Sequence, residues 1–179
     1  SDHGYHLGEH GHWQKRTLFN HATRVPLIFS GPGINNTKGD VNDPVELIDI
    51  YPTIMDLLNM EAPKFLSGKS LKPYLLGDRN QIRNEALTEL RVWTPTGHAQ
   101  GYSIKSKDYR FTKWLHNGFL DSELYDLKFD SAELNNLSKD ISYQKIKDSL
   151  LEVINKRIVE ANSYPESLGR QIENAAPIN

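Results

Sequence analysis

The sequence predicts an α/β fold that carries a small antiparallel sheet and a long helix as a second subdomain. Three observations point there. A short apolar run at residues 25–29 ends in Gly31-Pro32-Gly33, and the segment 45–60 has helical spacing, with Leu47, Ile50, Ile54, Leu57 and Leu58 on one face. After Asp78 the pattern changes to short alternating runs, as antiparallel strands require. Residues 143–161 then repeat Ile146, Leu150, Val153, Ile154 and Ile158 at the spacing of one helical face, with Lys and Glu on the other.

In chain order, residues 1–15 read as a loop leaving the end of a strand that these residues do not include, the place where ligand sites of open α/β sheets gather. Residues 25–29 read as a buried strand and 34–43 as a polar surface loop. Pro52 either occupies the first turn of the next helix or kinks a longer one, with Asp49 or Tyr51 at the boundary. The apolar face of that helix is expected to pack on the sheet. A loop at 62–77 holds a short helical turn at 70–75. Its Gly68-Lys69-Ser70 matches the end of a phosphate-binding loop, but the first glycine of that motif is absent and no strand feeds it. Strands are expected at 86–92, 101–105, 109–115 and 123–126, with a turn at Lys107-Asp108 and a loop at Asn117-Gly118. Residues 93–100 read as a polar connecting loop, and Ser142 as the N-cap of the long helix. The domain division that follows is 1–77 for the α/β part, 78–162 for the antiparallel subdomain and 163–179 for a loosely held tail.

The chain has 179 residues, enough for a sizeable core. A net charge of −2 gives no reason to expect nucleic-acid binding. The absence of cysteine excludes disulfides and thiolate metal sites. No apolar run approaches the ~20 residues of a membrane helix.

Chemistry-bearing residues concentrate at the start. Five of the seven histidines fall in the first thirty positions, together with Asp2, Glu9, Lys15 and Arg16, spaced by Gly4, Gly8 and Gly11. Asp2 and His3 offer an oxygen and an imidazole nitrogen to one divalent cation, and Lys15 a point charge to an anion beside it. His6, His10 and His12 read first as polar surface of a glycine-broken loop, with His6 and His10 kept as candidate pocket-lining residues. Glu9 reads as an acceptor for loop amides, and Trp13 as the anchor that packs the loop down.

Asp2-His3-Gly4, Leu7-Gly8-Glu9-His10-Gly11, Trp13, Lys15 and Arg24-Val25-Pro26-Leu27-Ile28 resemble the C-terminal part of the sulfatase family, within the alkaline-phosphatase-like superfamily. The likeness extends to iduronate-2-sulfatase and its bacterial relatives. It resumes at residues 46–54, at Gly101-Tyr102-Ser103-Ile104 with Asp108-Tyr109-Arg110, and at residues 123–127. The resemblance implies a calcium site that Asp2 and His3 help to complete, and a sulfate-ester contact at Lys15. It also implies a small subdomain leaning over the site, which makes His98 a candidate substrate contact.

The family's nucleophile is a formylglycine made from Cys or Ser in a Cys/Ser-x-Pro-x-Arg signature, and these residues contain no such signature. The expectation is therefore a C-terminal piece of a sulfuric ester hydrolase acting on sulfated carbohydrate, inactive without the N-terminal part of the same enzyme. Its compartment is expected to be periplasmic, secreted or lysosome-like. Two alternatives stay open: a phosphate or phosphonate ester hydrolase of the same superfamily, and a non-catalytic carbohydrate- or metal-binding module.

Overall fold

A computed structural model describes residues 1–34 and 39–163. The loop expected at 34–43 falls partly outside the described residues, and the tail beyond 163 falls wholly outside them.

Among the described residues, the first 77 positions hold three short α-helices. Helix α1 (Asn20–Thr23) follows the histidine-rich loop, and residues 25–29 follow α1. That run, expected to be a strand, alternates half-buried and exposed side chains but joins no ladder among the described residues. A strand needs a neighbour to take its N–H and C=O groups, and here the Ser1 ammonium donates to Pro26 O at 2.9 Å instead.

Helix α2 (Ile50–Leu57) is entered through a 3-10 turn, Leu47–Asp49. Pro52 sits in its first turn, where a missing N–H costs nothing. The face expected to pack on the sheet does not, because Leu47, Ile54 and Leu58 are exposed. The helix buries Pro52 and Thr53, and the 3-10 turn ahead of it buries Asp49. Asp49 accepts from Glu46 N, Lys69 N and Arg83 Nη2 at 2.9, 2.8 and 2.5 Å, and Thr53 Oγ1 accepts from Leu71 N at 2.8 Å. Helix α3 (Lys72–Leu75) carries Tyr74, buried, with its hydroxyl donating to Asp43 at 2.8 Å.

The sheet follows as a meander: β1 (Glu85–Thr94), β2 (Gly97–Ser106), β3 (Tyr109–His116) and β4 (Phe119–Asp126), antiparallel in that order. The expected loop at 93–100 is instead the end of one strand, a Pro95-Thr96 turn and the start of the next, with Trp93 opposite His98. Lys107-Asp108 and Asn117-Gly118 are the other two turns, and Asn117 takes the left-handed conformation (φ 48°) that short hairpin loops demand.

Helix α4 (Gln144–Asn162) closes the fold. Ser142 is not its cap; it lies in a preceding 3-10 turn, where its amide donates to Asp140 Oδ1 at 2.9 Å.

Alternation along the strands separates two sheet faces. Leu87, Ile104, Phe111 and Leu124 face α4 and form the apolar core with Ile154. The opposite face receives the N-terminal segment. Gly101 has Leu18 and Trp114 so close that a Cβ would meet them at 2.7 and 2.5 Å, and Phe19 packs edge-on against Tyr125. Arg110, 1% exposed, reaches across this interface to Glu133, to Asn20 Oδ1 at 2.7 Å and to Thr23 Oγ1 at 3.0 Å. A second buried network joins Glu46 to Arg83 at 2.7 Å and to Arg157 of α4 at 2.8 Å. No helix among the described residues is long and apolar enough to cross a membrane.

Candidate functional site

Three of the residues singled out in the sequence converge on one point. His3 Nδ1 lies 2.9 Å from Gly4 O, and a carbonyl only accepts, so Nδ1 carries the proton and Nε2 keeps its lone pair. That lone pair accepts from the Lys15 ammonium at 2.8 Å. The Asp2 carboxylate is 3.5 Å from the same nitrogen. Two electron-pair donors so close need a cationic group between them. The Asp2 carboxyl is held below the usual carboxylate range, by its own backbone amide first and then by His3.

This donor set fits a divalent cation: a hard carboxylate oxygen and an imidazole nitrogen whose tautomer is fixed by a carbonyl. It supplies two donors. Among the described residues no group of three or more His, Asp or Glu side chains is arranged around a metal position.

The loop that presents Lys15 is closed by backbone contacts. Gly4 N donates to Ala22 O at 2.8 Å, and a Cβ on Gly4 would lie 2.0 Å from His21 O, so only glycine lets the loop come this near to α1. Glu9 accepts from Leu7 N at 2.7 Å, and His6 N donates to Gln14 O at 3.0 Å. Trp13, read as the anchor, is 68% exposed and lies against Gly8.

The anchor is His6 instead. It is fully buried, with Nδ1 on Glu9 O at 3.1 Å and Nε2 on Thr17 Oγ1 at 2.6 Å. Its ring lies within 6 Å of those of His10, His12 and His21, and His10 stacks on Phe19 at 3.9 Å. Both His6 nitrogens are engaged inside the loop, so His6 does not line a pocket. Burial, with the neighbouring histidines, pulls its imidazole pKa below the ordinary value.

His98 also stands apart from Asp2, His3 and Lys15. It lies on the α4 side of the sheet, under Trp93, with ring centroids 3.6 Å apart. Arg16, named with the chemistry-bearing residues of the loop, has a partner the sequence did not indicate: its Nη2 donates to Arg91 O at 2.9 Å and ties the Lys15 loop to the outer edge of β1. Only a contact between residues 75 positions apart reveals that tie.

Asp2, His3 and Lys15 open onto a groove of about 1610 Å³ that runs past Arg24 and Lys105. Desolvation, followed by Arg110 and Arg24, lowers the pKa of Lys105.

Residues 8–160 match the family described as N-sulphoglucosamine sulphohydrolase, C-terminal. A Delta 4,5-hexuronate-2-O-sulfatase of Bacteroides thetaiotaomicron is 33% identical over 155 residues, covering 82% of this chain and 31% of its own length. An N-acetylglucosamine-6-O-sulfatase of the same organism is 29% identical over 160 residues, 86% of this chain and 28% of its own. Arylsulfatase K of Rattus norvegicus is 29% identical over 92% of this chain and 30% of its own. The chain thus spans about a third of the length of the relatives it matches. Among solved structures, a 2-O GAG sulfatase superposes with a TM-score of 0.80 at 28% identity, covering 89% of this chain and 35% of that one. A protein solved with its substrate D-glucosamine-2-N,6-O-disulfate superposes with a TM-score of 0.74 at 27% identity, covering 94% and 35%.

Proposed function

The chain belongs to the N-sulphoglucosamine sulphohydrolase C-terminal family, and on that premise we propose that it forms the cation- and sulfate-contacting part of a sulfuric ester hydrolase acting on sulfated carbohydrate. The observation that carries this is the convergence of the Asp2 carboxylate and the Lys15 ammonium on His3 Nε2, at 3.5 and 2.8 Å. Asp2 and His3 would hold a divalent cation, calcium in the expectation from sequence. Such an ion would supply Lewis-acid polarisation of a sulfuryl oxygen.

The chain's own residues have separate tasks. The Lys15 ammonium contacts a second sulfuryl oxygen and offsets the charge that grows there as the S–O bond breaks. His3, its Nδ1 proton committed to Gly4 O, keeps Nε2 turned to the cation. His6 holds the loop from behind, through Glu9 O and Thr17, and so fixes where Lys15 sits. The nucleophile, expected to be a formylglycine, would come from polypeptide outside these residues, which contain no Cys/Ser-x-Pro-x-Arg signature. Sulfated sugars as substrates are inferred from relatives named for 2-O- and 6-O-sulfatase action. A periplasmic, secreted or lysosome-like location goes with that reading.

The test is to express the gene product that carries this chain and assay sulfate release from 6-O-sulfated N-acetylglucosamine and a 2-O-sulfated unsaturated hexuronate, beside phosphate release from a phosphate monoester and a phosphonate ester. Sulfate release that chelators abolish is the expected result. Turnover confined to the phosphorus esters would overturn the proposal.

A further inference from the structure

Helix α1 is a single turn, too short to hold itself in place, so its position is set by what grips it. Packing supplies one grip, with Leu18 against Gly101 and Phe19 against Tyr125. The other grip is polar and comes from the antiparallel subdomain. Arg110 Nη2 donates to Asn20 Oδ1 at 2.7 Å and to Thr23 Oγ1 at 3.0 Å, while Asn20 N donates to Glu133 Oε2 at 2.7 Å, so both ends of the turn are held. Nε of the same guanidinium pairs with the other carboxylate oxygen of Glu133, and Nη1 donates to Ser103 Oγ at 3.2 Å. The loop that presents Glu133 is itself braced. Leu134 N and Asn135 N donate to the Asp130 carboxylate at 3.1 and 2.7 Å, and Glu133 takes a left-handed backbone (φ 58°) that a glutamate rarely adopts.

Helix α1 in turn carries the strip that bears the candidate cation ligands. Gly4 N donates to Ala22 O at 2.8 Å, and no Cβ would fit between Gly4 and His21 O. Ser1 N donates to Pro26 O at 2.9 Å, just past the helix. Asp2 and His3 lie between these two fixed points, and His3 Nδ1 donates to Gly4 O at 2.9 Å.

A buried ion pair is weak as a source of stability, since apolar side chains of similar volume serve packing as well. What it adds is direction, because a planar fork with five donors fixes the angle of whatever it grips. We propose that Arg110 and Glu133 are positioning residues for the cation site, setting the place of Asp2 and His3 through Asn20, α1 and Gly4. The proposal rests on the reading of Asp2 and His3 as cation ligands and gives the antiparallel subdomain a part in it. Arg110 is 1% exposed, so it acts through what it holds.

Calcium titration calorimetry on the gene product that carries this chain, stripped with chelator, tests the role, with urea unfolding of each variant beside it. Asn20→Ala cuts the Arg110 link to α1 and leaves the buried pair whole. Ser103→Ala removes a contact of the same guanidinium on its sheet side. Loss of a partner that orients a metal ligand weakens metal binding by about tenfold or more, so Asn20→Ala should weaken calcium binding about tenfold and Ser103→Ala should leave it unchanged, at comparable loss of stability. Sulfate release by Asn20→Ala should return to the parent kcat once calcium is saturating. A kcat that stays low, equal loss of calcium affinity in both variants, or no loss in Asn20→Ala while Asp2→Ala lowers it, overturns the positioning role and leaves the cation reading standing. Calcium binding indifferent to Asp2→Ala overturns that reading, and the proposal with it.

Discussion

Lys15 Nζ sits 2.8 Å from His3 Nε2, on the one lone pair that His3 has to offer a metal ion. Ammonium and cation compete for the same electron pair, so cation binding requires Lys15 to swing off His3, and the freed ammonium is then available to a sulfate oxygen. Removing the ammonium should tighten calcium binding by this chain about thirtyfold, the effect of deleting one unit charge about 4 Å from a divalent ion in a water-exposed site. Asp2→Ala should abolish that binding. Titration calorimetry with calcium measures both. A Lys15→Ala variant that binds more weakly than the parent would show that the lysine does not occupy the cation's place.

The Gly4 approach to α1 gives a second handle on the site that touches no ligand. Gly4→Ala would drive a methyl into His21 O, 2.0 Å away, and should cost about 1–3 kcal/mol as overpacking against backbone. Gly11→Ala has nothing within 4 Å to strike and bears only the strain of its positive φ, 72°, so it should cost about 1 kcal/mol. Urea unfolding of the two variants separates them. Equal losses would mean that the loop is free to move off α1.

Arg110 and Glu133 form a buried ion pair that also secures α1, since Glu133 Oε2 accepts from Asn20 N at 2.7 Å. Arg110→Met would leave an uncompensated buried carboxylate and should cost about 3–5 kcal/mol. It should also raise amide exchange at Asn20–Thr23 ahead of the sheet. Uniform loss of protection across both would place the pair in the subdomain core and not at its junction with the N-terminal segment.

His6 makes the loop acid-sensitive. Its pKa in the folded chain is below the ordinary 6.5, chiefly through burial. A depressed histidine pKa means that the folded state binds the proton less readily than the unfolded one. The stability it contributes is therefore complete above about pH 6.5 and is lost as pH falls toward the folded value. Hydrogen exchange at residues 7–17 should accelerate between neutral and mildly acid pH, and His6→Asn, which does not titrate, should flatten that dependence. A pH profile unchanged by the substitution would assign the effect to the other histidines of the cluster.

What could be read from the sequence was local. The Asn117-Gly118 hairpin needs φ values that those two residues supply, and the α4 face repeats at 3.6-residue spacing, so both were legible. Residues 93–100 looked like a loop because a bare sheet end tolerates Thr, Gln and His as readily as a loop does. Helix α2 looked as though it should bury its leucines. Instead it buries Thr53, and the 3-10 turn ahead of it buries Asp49; their cost is offset by partners 18 to 34 residues away that no periodicity signals. At the site, Asp2, His3 and Lys15 were legible as residue types at motif spacing. His6 as the enclosed anchor and Arg16 as the tie to β1 were not, because both depend on tertiary contacts.

The claim on which the rest depends is that Lys15 holds a sulfuryl oxygen whose charge rises in the transition state. The most direct measurement is kcat/KM for Lys15→Ala in the gene product that carries this chain, on a sulfate ester at low and at high ionic strength. Loss of a charge-assisted contact of roughly 2–4 kcal/mol predicts a drop of about 30- to 1,000-fold that persists in salt, with Lys15→Arg restoring little of it. A loss below about threefold that disappears in salt would be the signature of a solvated lysine steering anions, and would remove Lys15 from the site.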